Sequence, residues 1–340
     1  MAVDPVLRVA DHGEKPSRYH RPVNITEHPV VASLTPVFIL IALGYLAGRL
    51  NWIRESAVKD LSNLVFLLLI PALLFRTMST VHVEVLDLRP VLAYFLAALL
   101  LLGGSIVWRG FDRQSVVMAL GGVFSNLVMI GITVVQLAYG KPALVTLLTI
   151  VSLHAIVLLT VTTVVLEMAV ASENRALGME APHVLVTTWT AFKNALIHPI
   201  PLPILCGLLF AQTGWTLPEV VDKPLGLLGA AFGPIALVLV GVTMATTKMR
   251  GHLMSALWIA ASKNLLLPLM VGISAWAFGI GGLPLTVMVV AAAMPMGANV
   301  FMFAQRYEVA QELTTASMVM STGLALFTLT LVMLVVSWIN

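Results

Sequence analysis

The sequence predicts an all-α polytopic membrane protein with ten transmembrane helices, arranged as two inverted five-helix repeats. Composition defines the class: 59% of the 340 residues are hydrophobic, only 10% are charged and the mean hydropathy is +0.98. Soluble domains are far more polar. Apolar runs of about 18 residues or more recur along the chain, and each is long enough to span the hydrocarbon core of a bilayer. The fourth and ninth runs contain helix-breaking residues, so we expect helices 4 and 9 to be broken.

Ten spans follow from the positions of the apolar runs. The first repeat occupies residues 31–168, a polar link occupies 169–194, and the second repeat occupies 195–340. The predicted spans are 31–48, 59–79, 89–108, 115–139, 142–168, 195–213, 222–246, 253–279, 283–305 and 312–338. The polar residues 1–30 are predicted to form a disordered tail and not a cleavable signal peptide, because the apolar run that follows is itself the first span.

Lysines and arginines are unevenly shared between the two sides of the predicted topology. One set of loops carries Arg49, Arg54, Lys59, Arg109, Arg113, Arg175, Lys193, Lys248, Arg250 and Arg306. The opposite loops carry only Arg76, Arg89, Lys141 and Lys223. The richer side is predicted to be cytoplasmic, which places both termini outside, in a multi-pass protein of the plasma (cytoplasmic or inner) membrane. The basic residues of the N-terminal tail argue for the opposite orientation.

An internal repeat is visible in the spacing of prolines and asparagines. Pro71 in "FLLLIPALLF" and Pro234 in "GAAFGPIALV" hold similar places in the second and seventh spans. Asn126 follows Pro71 by 55 residues, and Asn299 follows Pro234 by 65 residues. A unit of five spans enters the membrane with opposite polarity when it is repeated, because five is an odd number. The pattern therefore predicts the inverted-repeat architecture of many secondary transporters.

The fourth and ninth spans carry the residues that predict a binding site. The fourth, "GGVFSNLVMIGITVVQLAYG", holds Asn126 and Gly131, and the ninth, "MPMGANVFMFAQRYE", holds Pro295, Gly297 and Asn299. Backbone groups freed by a break are tolerated at membrane depth only where they line a cavity inside the protein. Two half-helix N-termini that meet there would favour a carboxylate, which the asparagine amides would help to orient. The alternative is that these small residues only permit close helix packing.

Two ionisable residues lie deep in predicted spans. Lys263, in "WIAASKNLLLPLM", is near the centre of the eighth span, where it could balance an anionic substrate or a moving proton. Alternatively, it packs against the freed carbonyls of the broken helices or extends to the interface. His154, midway along the fifth span, is either a proton relay or a neutral side chain that is hydrogen-bonded between helices.

Several functional classes are excluded by composition and motifs. The net charge of +3 is small and dispersed, so nucleic acid is not expected as a partner. Cys206 is the only cysteine, which excludes an intrachain disulfide. The eight histidines show no metal-ligand spacing, and no catalytic constellation lies at membrane depth. We therefore predict no catalytic residues, no metal and no cofactor, and a protein that is not an enzyme.

Three segments carry a resemblance to a known family. They are "LTPVFILIALGYLAGRLNWIRESAVKDLSNLVFLLLIPALLF", "FGPIALVLVGVTM" and "AAAMPMGANVFMFAQRYEVAQELTTASMVMST". In their order and spacing the chain resembles the auxin efflux carrier family, whose bacterial members include proteins described as carriers of malonate or other organic acids. The likeness runs from about residue 31 to residue 338.

The resemblance implies ten helices in two inverted repeats, with broken helices four and nine crossing. It also implies a scaffold part and a transport part that slide past each other in the manner of an elevator. Asn126 matches the family's fourth-span asparagine. Where the family commonly has a proline seven residues later, this chain has Thr133, so the break would be softer and would rest on Gly131 and on the Thr133 hydroxyl.

Together these observations predict a secondary transporter of a small organic anion, a mono- or dicarboxylate, that works by elevator-type alternating access. The predicted substrate-binding residues are Asn126, Gly131, Thr133, Lys263, Pro295, Gly297 and Asn299. The alternatives are a cation-coupled symporter that uses Na⁺ or H⁺ on the same scaffold, and a membrane-embedded ligand sensor. The expected partners are the organic anion and the lipid bilayer, and a homodimer is left open.

Overall fold

A computed structural model of the protein describes residues 29–81, 87–176, 189, 200–246 and 253–339. Within these ranges the chain is almost entirely helical and contains no β-strand. The all-α prediction is confirmed for this part of the chain. Most of the predicted N-terminal tail, much of the polar link and the start of the sixth span lie outside the described residues.

Thirteen α-helices are defined in the described residues. The first six are α1 (Pro29–Arg49), α2 (Glu55–Leu64), α3 (Ile70–Met78), α4 (Arg89–Arg109), α5 (Arg113–Val123) and α6 (Ile132–Ala176). The others are α7 (Pro201–Gln212), α8 (Glu219–Thr246), α9 (Leu253–Ala261), α10 (Leu267–Ala277), α11 (Gly282–Ala293), α12 (Asn299–Arg306) and α13 (Gln311–Ile339). Single π-helical turns at Val65–Leu69, Leu127–Gly131 and Ser262–Leu266 join α2 to α3, lead into α6 and join α9 to α10.

Six helical segments of the described chain are long and apolar enough to cross a membrane. They are Glu55–Met78, Arg89–Arg109, Leu127–Arg175, Glu219–Thr246, Leu253–Ala277 and Gln311–Ile339. Shorter apolar helices occupy Leu34–Arg49, Pro201–Gln212 and Gly282–Ala293. The membrane class is thus confirmed by length and composition, whereas the ten-span inverted repeat stays a prediction.

The segment α6 is two helices joined at a corner. Gly140 has φ 73° and ψ −167° there, a backbone conformation that favours glycine. Pro142 follows two residues later and begins the next helix. The corner falls between the predicted fourth and fifth spans. The second helix continues into the predicted link, where the Glu173 carboxylate accepts a hydrogen bond from the Arg113 backbone N–H at 3.2 Å.

The helices pack as two groups. In the first group, α1 lies along α8, and α3 contacts both α7 and α8. Gly44 and Gly241 allow the closest approach, because a Cβ atom on either residue would collide with the backbone of the facing helix. In the second group, α4, α5 and α6 pack with α9 to α13. Fewer contacts join the two groups, and these include α1 against α6 and α8 against the π-helical turn at Leu127–Gly131.

Candidate functional site

Two helices of the second group are interrupted. The helix α5 ends at Val123, and residues 124–126 are not helical before the π-helical turn begins at Leu127. In the second half of the chain, α11 ends at Ala293 and α12 begins at Asn299. Both predicted interruptions are therefore present, in the fourth and the ninth apolar runs.

The two interruptions are hydrogen-bonded to each other. The Asn126 N–H donates to the Pro295 carbonyl at 2.7 Å, and the Gly297 N–H donates to the Phe124 carbonyl at 2.9 Å. These bonds form an isolated antiparallel bridge in which Ser125 faces Met296. The pairing satisfies four backbone groups that interrupted helices would otherwise leave unpaired away from water. The two interruptions therefore meet in a hydrogen-bonded junction. We call its residues, 124–126 and 294–298, the crossing.

Glycine is required at the centre of the crossing. A Cβ atom on Gly297 would lie 2.8 Å from Cδ1 and 3.0 Å from Cε1 of the Phe124 ring, and 3.4 Å from the Ser125 carbonyl oxygen. Pro295 contributes the carbonyl that pairs with Asn126. Gly131 lies at the end of the π-helical turn, where a Cβ would contact the Met294 side chain at 3.5 Å. Gly297 and Pro295 therefore shape the junction, whereas the contact at Gly131 is an ordinary van der Waals distance.

Lys263 is fully buried beside the second interruption. Its ammonium donates to the carbonyls of Ala292 and Met294, both at 2.7 Å. These carbonyls belong to the C-terminal end of α11, which carries the negative end of the helix dipole and has no helical N–H partner. The contacts match the alternative that Lys263 holds freed carbonyls. No carboxylate lies within ion-pair distance of this ammonium among the residues the structure describes.

A second polar group, which the sequence analysis did not assign, supports the same interruption. The Asn264 amide donates to the Ser321 carbonyl at 2.8 Å, and the Ser321 hydroxyl donates to the Asn264 side-chain oxygen at 2.7 Å. The same hydroxyl oxygen accepts a hydrogen bond from the Met296 N–H at 3.0 Å. Asn264 and Ser321 are both fully buried. In the sequence, the signal that could have identified Asn264 as a candidate was its amide side chain inside an apolar span.

His154 supports the first interruption. Its Nε2 atom accepts a hydrogen bond from the Ser125 N–H at 3.2 Å, and its ring packs on the Phe124 ring with centroids 4.5 Å apart. Because Nε2 is an acceptor, the proton of the neutral ring lies on Nδ1. Nδ1 is buried and has no hydrogen-bond partner in the described part of the chain. The geometry matches a neutral histidine that is hydrogen-bonded between helices.

Asn126 and Asn299 occupy the starts of the two helices that leave the crossing. The Asn126 side-chain oxygen accepts a hydrogen bond from the Met129 N–H at 3.2 Å and so caps the π-helical turn. Asn299 is the first residue of α12. Both side chains are half-buried. Within the described ranges, the NH₂ group of Asn126 and the whole Asn299 amide form no hydrogen bond with the protein, so they can face a ligand.

Thr133 lies apart from the crossing. It packs against α8, where a Cβ on Gly233 would lie 3.1 Å from the Thr133 methyl carbon and 3.3 Å from its hydroxyl oxygen. The hydroxyl is buried and has no hydrogen-bond partner among the described residues. The first interruption falls at residues 124–126, ahead of both Gly131 and Thr133. Its position is set by contacts with Pro295 and His154 and not by these two residues.

The hydrogen bond between His154 and the Ser125 N–H is expected to stabilise the first interruption. Changing His154 to leucine would leave the buried Ser125 N–H without an acceptor, and such a loss typically lowers stability by about 1–3 kcal/mol. His154→Gln offers a carbonyl oxygen in its place. In detergent, we expect a lower melting temperature for His154→Leu than for His154→Gln, and an unchanged pH profile of uptake in His154→Gln. A pH dependence that disappears in His154→Gln would instead indicate a proton relay.

Family comparison agrees with this architecture. A sequence model of the family described as Membrane transport protein matches residues 29–333. The apolar helices, the paired interruptions and this match together define a helical membrane transport protein. The chain belongs to that family, which is the auxin efflux carrier family that the sequence resembles.

Three curated relatives are similar over most of their length. "Putative malonate transporter" of Rhizobium meliloti (strain 1021) is 26% identical over 315 residues, which cover 88% of this chain and 94% of the relative. "Auxin efflux carrier component 8" of Arabidopsis thaliana is 23% identical over 352 residues, with 87% and 94% covered. An "Uncharacterized transporter" of Methanothermobacter thermautotrophicus is 24% identical over 305 residues, again with 87% and 94% covered. All three names describe transport or efflux.

Proposed function

We propose that this protein is a secondary transporter that carries a small organic anion, a mono- or dicarboxylate, across the membrane by elevator-type alternating access. The observation that carries the proposal is the buried Lys263 ammonium beside the crossing, which has no carboxylate partner in the described chain. A buried charge is costly unless it is paired. A substrate carboxylate would supply the missing negative charge.

The groups around the crossing suit a carboxylate. The helix α12 begins at Asn299, where the N–H groups of Val300 and Phe301 donate to the carbonyls of Gly297 and Ala298, so the positive end of the helix dipole and not these two N–H groups would attract the anion. A helix N-terminus carries about half a positive charge and favours an anion. The NH₂ groups of Asn126 and Asn299 add donors that can orient a carboxylate. Pro295 and Gly297 would shape the site around the ligand, with Gly131 beside them, whereas Thr133 packs against α8 outside the crossing.

The two packing groups would be the two parts that slide past each other in an elevator-type mechanism. The group of α1, α2, α3, α7 and α8 would be the scaffold, and the group that contains the crossing would be the moving transport part. Contacts between the groups are fewer than contacts within them, as sliding requires. Ten spans in two inverted repeats, with both termini outside the plasma membrane, complete the proposed architecture.

The similarity to "Putative malonate transporter" supports the choice of substrate class. Malonate is a small dicarboxylate, and the proposed site offers a buried cation together with several N–H donors. We therefore choose malonate as the first test substrate for this chain, with acetate as the matching monocarboxylate.

The direct test is uptake into liposomes that contain the purified protein. We expect saturable uptake of a labelled small carboxylate, competed by unlabelled carboxylates and absent from protein-free liposomes. Removal of Na⁺ and collapse of the proton gradient would show whether uptake is coupled to a cation. Binding that raises the melting temperature without any uptake or exchange would indicate a sensor and contradict the proposal.

A further inference from the structure

A cavity of about 460 Å³ lies between the two packing groups, away from the crossing. Its lining residues come from the end of α3 and the residues that follow it, from the corner at Gly140, and from α8. A volume of this size is within the range of small-molecule sites. Gln136, which faces this cavity, follows Asn126 by ten residues, or about 15 Å along a helix. One short helical segment therefore leads from the crossing to the cavity.

The charged groups in the cavity favour an anion. Arg76 and Lys141 line it together with a single carboxylate, that of Asp222, so two positive charges face one negative charge. Both oxygens of the Asp222 carboxylate are already occupied, because Arg76 donates to them from Nε at 2.7 Å and from Nη2 at 2.8 Å. The negative charge of Asp222 is therefore already paired with the Arg76 guanidinium, which makes a second cation less favourable here than an anion.

Several donors in the cavity form no hydrogen bond with the residues that the structure describes. The Arg76 Nη1 atom, the Lys141 ammonium and the Gln136 amide form no hydrogen bond or ion pair with any described residue. The Arg76 guanidinium is held in place, since it is paired with Asp222 and a Cβ on Gly226 would approach its Cζ atom to 3.3 Å. The Lys141 ammonium is close enough to Asp222 to interact with it electrostatically but forms no hydrogen bond with it. A guanidinium and an ammonium on opposite packing groups thus provide the donors that a carboxylate needs.

We propose that this cavity is a second carboxylate-binding site, where the anion is captured by Arg76, Lys141 and Gln136 before it reaches the crossing. The inference rests on the proposed function and identifies a further site for the same class of substrate. Arg76 and Asp222 belong to the scaffold group, whereas Gln136 and Lys141 belong to the transport group. Movement of the transport group would therefore separate the donors and release the anion.

The first test compares Lys141→Gln with Lys223→Gln in malonate uptake by liposomes. Lys223 does not line the cavity and is exposed beside Glu219, so it controls for general surface charge. We expect Lys141→Gln to raise the KM for malonate about fivefold to tenfold, with a maximal rate within twofold of wild type, because a nearby charge has been removed. Lys223→Gln should behave as wild type. Equal KM values in the two variants would overturn the inference.

The second test separates this site from the crossing. In the variant Asn126→Ala/Asn299→Ala, malonate should still raise the melting temperature, and adding Lys141→Gln should reduce that effect at the same malonate concentration. Absence of any malonate effect in the double variant would overturn the inference. If the wild-type protein neither binds nor carries malonate or acetate, the proposed function fails as well. If Asn126→Ala/Asn299→Ala abolishes uptake while Lys141→Gln is normal, only the second site is excluded.

Discussion

Replacing Lys263 with glutamine is expected to reduce carboxylate uptake by about 100-fold, because hydrogen bonds to a charged group contribute about 1.5–3 kcal/mol and the buried counter-charge is lost. Glutamine keeps an N–H donor for the carbonyls of Ala292 and Met294, to which the ammonium donates at 2.7 Å. The fold should therefore persist, with the positive charge removed. Initial rates in liposomes and the melting temperature in detergent measure the two effects separately.

Lys263→Arg is the matched comparison, since it keeps the positive charge and the donors. We expect it to retain more uptake than Lys263→Gln. It should not reach the wild-type rate, because the larger guanidinium must fit a fully buried position. Wild-type uptake in Lys263→Gln would mean that the ammonium only caps the end of α11, and it would contradict the role of Lys263 as the counter-ion of the substrate.

Replacing Gly297 with alanine is expected to abolish uptake and to lower stability by about 1–3 kcal/mol, a typical effect of overpacking. The added Cβ would lie 2.8 Å from the Phe124 ring, beside the isolated antiparallel bridge that joins the two interruptions. To relieve this contact, either the Phe124 ring must move from its packing against His154 or the Gly297 N–H must move away from the Phe124 carbonyl. Uptake and thermal unfolding of the purified variant check both expectations.

Two further variants make the Gly297 experiment specific. Gly323→Ala, in α13, is the control, because no atom lies within 4 Å of a Cβ at that position. It should be neutral or slightly stabilising, since alanine is a better helix former than glycine. Phe124→Ala combined with Gly297→Ala removes the ring from the contact and should recover part of the lost stability. Equal losses for Gly297→Ala and Gly323→Ala would show that the close approach is unimportant.

The sequence could predict the second interruption more fully than the first. In the ninth run, proline and glycine act on their own backbone, so Pro295 and Gly297 mark the break locally. The fourth run has no proline, and its break at residues 124–126 depends on the Pro295 carbonyl and on His154. These partners are distant in sequence. Local reasoning therefore attributed the break to Gly131 and Thr133, whereas the non-helical residues lie just before them, at 124–126.

The same limit applies to the charged residues. The depth of Lys263 in an apolar span could be read from the sequence, but the two carbonyls that receive its hydrogen bonds could not, because they lie 29 and 31 residues away. Arg76 was assigned from its position only as a loop cation. Its bidentate pair with Asp222 joins residues separated by 146 positions, and only the packing of α3 against α8 brings them together.

The central claim is that the two paired interruptions form the site through which a carboxylate is carried. The most direct measurement is the initial rate of malonate and acetate uptake by wild type, Asn126→Ala and Asn299→Ala, incorporated at equal amounts into liposomes. We predict that either substitution reduces the rate at least about tenfold, because each removes an amide that would contact the anion. Unchanged rates in both correctly folded variants would contradict a carboxylate site at the crossing.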